Sequence, residues 1–398
     1  MLKPRHCLLT AGLFLSSASL AASITPELKI NGFATAGVAW LDDDLGGTGT
    51  TTGGAPQQYS AHYMQNSYGR GGISETPNTK FDSVAGLQFD YQVNDQTNMV
   101  LQLVGKGQID NFKPQAEWAY IRYAINEHWI ARAGRVGFQG FMISDSMQVG
   151  HSYVWARPPA EVYANTPVAS SQGMDITFRQ GMGDWMFNAE LFAGSADTTD
   201  GRLAIQNIAS LYLTLSHENL TVRGGALRFN LVNNVALTPL PDLDDSRSGR
   251  FGSVGFMYDD GKWMLNGELV QQRVVDWPAD FDAGYVTLGY HFGRFLPYVY
   301  WANIDTVGDT GKQLGPINTR PSSIFEQSTY AAGLRFDPKP GVSLKAQIEH
   351  ITDMGDFNGL FRFSPSSPGQ QVQAIVGAQA LPELKSTNLF SLNINVAF

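Results

Sequence analysis

Arg122, Arg132 and Arg179 occupy the polar phase of three successive segments in which apolar and polar residues alternate, and Arg135 lies near the end of the second. A guanidinium stays charged at any ordinary pH and offers paired N–H donors to carboxylates and phosphates. Set around water, such groups attract anions and repel cations. Arg223, Arg335 and Lys345 fall in the same polar phase further on. Asp82, Asp90, Asp175, Glu190, Glu268 and Glu349 are the acidic counterparts, with Asp145 and Glu161 in the long connection 136–173. Most of these charges are expected simply to line a watery space. Arg132 and Arg135, which immediately precede the long connection, are expected to do more. With Arg122 and Arg179 they should form one basic wall, faced by Asp145 and Glu161.

Covalent chemistry finds no footing. The chain holds no G-x-S-x-G, H-E-x-x-H or phosphate-loop pattern, the spacings that set a nucleophile, a metal or a phosphate in place. His151 and Ser152 are sequence neighbours, which does not by itself make a base and its nucleophile. An enzyme is not expected, nor a cofactor. Asp42, Asp43 and Asp44, and then Asp242, Asp244 and Asp245, carry the oxygen ligands that divalent cations take. They read as loop acids in water, and no metal site is expected.

The elements that position the arginines are strands. From Phe390 to Phe398 every even residue is apolar, and Ser391, Asn393 and Asn395 stand between them. Side chains alternate across a strand, so one face suits lipid and the other water. Leu28–Trp40, Trp185–Ala193 and Val342–Ile348 repeat the pattern. A Lys or Arg facing lipid at mid-bilayer costs about 2–4 kcal/mol, so Arg335 and Lys345 are expected to point inward. Glu117 falls in the apolar phase and is placed at a rim. Trp40, Trp118, Trp129, Trp185 and Trp263, near strand ends, suit interfacial girdles.

Short turns are read at Asn94–Thr97, Asn126–His128, Gly181–Asp184, His217–Asn219, Asp259–Lys262, Gly293–Phe295 and Asp337–Gly341. Gly, Asn, Asp and Pro dominate them for backbone reasons. Eight longer connections lie between, so the chain predicts sixteen strands with both termini on the short-turn side. The expected fold class is all-β: one transmembrane antiparallel β-barrel over 22–398, with long external loops and short periplasmic turns. A soluble sandwich would need loops of similar length at both ends and an uncharged interior.

Lys3 and Arg5 precede an apolar run from Leu8 to Leu20, and Ser19 and Ala21 fit a signal-peptidase site. Residues 1–21 therefore read as a cleaved signal peptide. The single cysteine, Cys7, lies within it. Its removal takes the formal charge from −9 to −11, because the segment holds Lys3 and Arg5 and no acid. An acidic chain is a poor partner for nucleic acid, and none is expected.

The chain resembles the Gram-negative general porin family. The resemblance is carried by Ala119-Tyr120-Ile121, by Ala133-Gly134-Arg135 and by the long segment before Met174, together with the terminal Phe398. The common P-E-F-G-G loop tip is absent. Trp155-Ala156-Arg157-Pro158-Pro159-Ala160-Glu161 stands in that loop instead. The resemblance implies an outer-membrane location, a third loop (about 136–173) folded into the barrel, and Arg135 facing the constriction. It also implies a homotrimer, with Ala34, Ala36 and Gly37 as a contact zone, and Phe398 as the signal read by the barrel-assembly machinery. Passive diffusion of small hydrophilic solutes is the expected function. A solute-specific channel and a non-conducting adhesin or structural barrel are the alternatives. Loop acids should make selectivity more cation-leaning in dilute salt than in concentrated salt, where screening is shorter-ranged.

Overall fold

The computed structural model describes residues 27–43, 45, 47–50, 56–64, 72–107, 112–164, 168–197, 203–233, 246–275, 280–307, 326–354, 359–365 and 384–398. The expected leader 1–21 with Cys7 lies outside them, as do Asp44, Asp242, Asp244 and Asp245.

Sixteen antiparallel strands close into one barrel. The first, Glu27–Leu41, pairs with Val84–Gln92 on one side and with the last, Ser386–Ala397, on the other. The closing register runs from Phe33 opposite Ala397 to Leu41 opposite Leu389. Closure leaves no free sheet edge, the condition for strands in a bilayer. The short turns lie where the sequence places them, and their polar side chains explain why. Asn94 Oδ1 accepts from the N–H groups of Gln96 and Thr97 at 3.0 and 2.9 Å, and Asp260 Oδ1 from those of Lys262 and Trp263 at 2.8 and 2.6 Å. Gly183, Gly261, Gly293 and Gly341 supply the positive φ that other turns require.

Alternation sorts the two faces. Outside, Met174, Leu269, Val299 and Tyr330 are exposed, Leu269 to 64%. Aromatic residues ring the short-turn end, among them Tyr123, Trp129, Trp185, Trp263 and Phe295. At the other end Trp40 stacks on Phe390 at 5.5 Å. Trp118 departs from the expected girdle, and Glu117 from the rim. The pairing of Thr97–Gly107 with Phe112–Ala124 slips between Gln102 and Leu103. A bulge puts two residues opposite one and breaks the period of two. Glu117 is consequently buried and ion-paired with Lys106, while Trp118 packs inside near Tyr120.

The last residue closes the seam. Phe398 N–H donates to Gly32 O at 2.9 Å and Gly32 N–H to Phe398 O at 2.8 Å. The Phe398 ring lies over Gly32, where an added Cβ would stand 2.3 Å from it. Asp42 pins the other end, accepting from Thr387 Oγ1 at 3.0 Å and from Asn388 N and Nδ2 at 2.9 and 2.5 Å. It is thus a seam residue rather than a free loop acid. Although burial opposes it, these donors hold its carboxyl below the usual range. Among the described residues no group of His, Cys, Asp and Glu could hold a metal ion. Ala34 and Ala36 are exposed outside, but Gly37 faces inward against Asn393 and Asp82, which removes it from any outer contact zone.

The first and last long connections add a second, three-stranded sheet from Gly47–Thr50, Pro56–Tyr63 and Phe361–Pro365. Its Tyr63 packs on Phe361 at 4.9 Å and joins a core with Leu41, Ile351 and Leu389. The sequence does not announce it, because the Gly- and Thr-rich stretch has no clean alternation.

Candidate constriction

The third long connection leaves Trp129–Gly137 and re-enters the wall at Ser170–Met182. Between them the chain turns into the barrel and brings its own apolar core. Phe138, Phe141, Trp155, Val162 and Tyr163 pack on the inner faces of later strands, against Phe251, Tyr285 and Tyr298 among others. Trp155 stands edge-on to Tyr285 at 5.3 Å and donates Nε1–H to Thr287 Oγ1 at 2.9 Å.

Polar clamps complete the attachment. Arg157, 6% exposed, donates from Nε and Nη2 to Asp82 at 2.9 and 2.5 Å, from Nη1 to Glu349 at 3.3 Å and from Nη2 to Ser391 Oγ at 3.1 Å. The buried Lys345 donates to the carbonyls of Gly150, Tyr153 and Trp155 at 2.5, 2.6 and 2.8 Å. Glu268 accepts from Tyr163 Oη at 2.6 Å and Met142 N at 2.8 Å. Each buried charge therefore has partners, the condition under which burying it is tolerable.

Glu161 belongs to this packed side. It is fully buried in the one-turn helix Ala160–Tyr163 and accepts from Gln327 Nε2 and Thr329 Oγ1, both at 2.5 Å. Burial pushes its carboxyl up, against the lowering effect of those donors. It fixes the loop to the wall and does not face the arginines, contrary to the pairing expected from sequence.

The opposite wall stays wetter. Register sets Arg122 opposite Arg132 and Arg132 opposite Asp175. Arg132 donates from Nε to both Asp175 oxygens at 3.0 and 2.9 Å, and from Nη2 to Glu190 at 2.8 Å, while lying over the Tyr120 ring at 5.5 Å. Arg223 follows, 3.9 Å from Glu190 and over Tyr212 at 4.7 Å. Arg179 donates to Asn188 Oδ1 at 3.1 Å. Neither Arg122 nor Arg179 has a carboxylate partner among the described residues. Asp145, in the short turn Ser144–Ser146, accepts from Gln139 Nε2 at 3.1 Å and lies within electrostatic reach of Arg132.

Arg135 is the exception among the four. It stands opposite Ala119 and Gln172, in the outward phase of Ile121 and Met174. The structure thus brings Arg122, Arg132, Arg179 and Asp145 together inside, and leaves Arg135 and Glu161 elsewhere. Arg157 is the functional residue that sequence reasoning passed over. Its signal was a lone charge between Trp155 and Pro158 in an otherwise apolar run, a pattern that calls for a buried partner.

No protein-family model and no curated protein sequence matches the chain. Solved structures do. The outer-membrane expressed OmpT of Vibrio cholerae is 14% identical, with 96% of this chain and 100% of that one covered and a TM-score of 0.55. A trimer form of that protein gives 12% identity, 94% and 100% coverage and a TM-score of 0.52. An anion-selective porin from Comamonas acidovorans gives 13% identity, 94% and 100% coverage and 0.55. The likeness is one of fold: a closed, porin-type barrel of sixteen antiparallel strands.

Proposed function

We propose that the protein is an outer-membrane diffusion channel for small hydrophilic solutes and ions, and not an enzyme. The observation that carries this reading is the asymmetric filling of the barrel. The third loop is clamped to one wall, while the wall bearing Arg122, Arg132 and Arg179 keeps partial contact with solvent. A loop fixed in this way narrows a lumen and sets its charge. The exposed outer belt supports placement in a bilayer, and the folds of the outer-membrane proteins above support the outer membrane. A leader over residues 1–21 and delivery through the Phe398 strand complete the proposed route.

A homotrimer fits the same reading. Arg135 is six residues from Trp129, about 20 Å along the strand and about 15 Å in height at a tilt near 40°. That level lies inside the apolar belt, where a lipid-facing Arg is unfavourable, so a neighbouring barrel would best cover this sector together with Ala34 and Ala36.

Within the passage Arg132 and Arg223 offset Asp175 and Glu190, and Arg122 and Arg179 outnumber the remaining acid of this group, Asp145. The proposed selectivity is weak, cation-leaning in dilute salt through loop acids and shifting towards anions in concentrated salt. Planar-bilayer recording with a panel of solutes tests the reading. Steady current with little discrimination among small solutes is expected. Block by a single solute would favour a solute-specific channel, and silence would favour a structural or adhesin barrel.

A further inference from the structure

Three arginines on the outer surface play no part in the passage. Register sets Arg228 directly opposite Arg250, and Arg250 directly opposite Arg273, on the adjacent strands Leu220–Asn233, Arg247–Asp259 and Trp263–Val274. All three are in the outward phase, shared with the exposed Val222, Val254 and Leu269 on their own strands. Arg228 and Arg250 are exposed.

Their height is fixed by strand geometry. Arg273 is ten residues from Trp263 in the aromatic ring of the short-turn end. That is about 33 Å along the strand, or about 25 Å of height at a tilt near 40°, which matches the apolar belt of a membrane barrel. The row therefore stands at the far interface, on the long-loop side, where lipid headgroups begin. It also lies on the side of the barrel away from the first strand, since seven strands stand between Glu27–Leu41 and Leu220–Asn233 in either direction round the ring. A contact between barrels through the first strand leaves the row facing lipid.

Like charges directly opposite one another across a sheet are destabilising. Arg273 relieves its share by donating to Asp282 at 2.7 and 3.0 Å and to the carbonyls of Gln272 and Phe281 at 2.7 and 2.9 Å. Arg228 and Arg250 have no such partner among the described residues. An anion between them removes the repulsion, and guanidinium forks match phosphate oxygens.

We infer that Arg228 and Arg250, with Arg273 alongside, bind the phosphate groups of a lipid headgroup in the external leaflet. This rests on the membrane reading above but not on conduction. The test uses the folded protein in detergent, with native mass spectrometry to count retained molecules of a bis-phosphorylated glycolipid and of its dephosphorylated form. The double variant Arg228→Gln, Arg250→Gln should retain the phosphorylated lipid about thirtyfold less than wild type, the scale expected of two arginines beside an anionic surface. Its single-channel current should be unchanged, because the row is outside the lumen. Equal retention by variant and wild type, or equal retention of both lipid forms, would overturn the inference. Displacement by millimolar inorganic phosphate would also overturn it, by pointing to a free-anion site. Lipid retention by a wild type that conducts no current would sink the channel reading alone.

Discussion

The two inner walls of the barrel come from the same strand pattern and hold the same kinds of charge, yet the charges do different work. On one wall Glu268, Lys345 and Glu349 are buried by the third loop and serve as its anchors. On the other, Arg122, Arg132 and Arg179 line the side the loop leaves open, and Arg223 marks the boundary, donating to the loop carbonyl of Gln139 at 3.0 Å. What decides a lumen charge's role is whether loop backbone and side chains reach it. Alternation selects the residues that point inward, and the loop then divides them into those it buries and those it leaves in contact with solvent.

The largest effect is expected from the clamp. Arg157→Ala leaves Asp82 and Glu349 buried without their cation, which costs about 3–5 kcal/mol. The loop should detach, single-channel conductance should rise and the trace should become noisy. An unchanged, quiet conductance would show that the loop is held by its apolar core alone. Lys345→Met comes next, since three loop carbonyls lose one donor, at about 1–3 kcal/mol for each buried group left unsatisfied. The same rise in current is expected, with the barrel still resisting unfolding on unboiled gels.

The open wall is probed by separate substitutions. Arg132→Ala removes the cation between Asp175 and Glu190, so the reversal potential should move towards cations. Arg135→Ala should leave it where it is, because that side chain is in the outward phase. Equal shifts for both variants would put Arg135 back in the passage.

A smaller effect concerns pH. Burial raises the folded pKa of Glu161 above its unfolded value. The folded chain therefore keeps a proton over a window in which the unfolded chain has lost it. This contribution to stability is full below the unfolded pKa and falls as pH rises through the folded one. Thermal unfolding of wild type and Glu161→Gln, compared across that window, should differ in slope, with the variant flatter. Parallel curves would contradict the assignment. The smallest effect is expected from Gly32→Ala, whose Cβ displaces only the exposed Phe398 ring. The folded fraction should fall slightly on unboiled gels, and less than on deletion of Phe398.

The barrel was legible because its rule is local. Period-two alternation and Asn, Asp and Gly turns gave the strands and their count without any long-range information. The errors fell where locality ends. Glu117 and Trp118 were misplaced by a bulge that only the partner strand reveals. Glu161 was expected to face the arginines, but the path of its loop depends on Thr329 and Gln327, far along the chain. The Gly-Arg pattern around Arg135 implied an inward arginine, which the register with Ala119 and Gln172 does not support.

Thiol accessibility during conduction tests the division of the lumen most directly. Asn188→Cys would stand beside Arg179 on the open wall, and Thr287→Cys beneath Trp155 on the packed one. A charged thiol reagent added to open channels should reduce the current through the first variant and leave that through the second unchanged. Block at position 287 with none at 188 would place the passage on the other side of the loop and contradict the assignment.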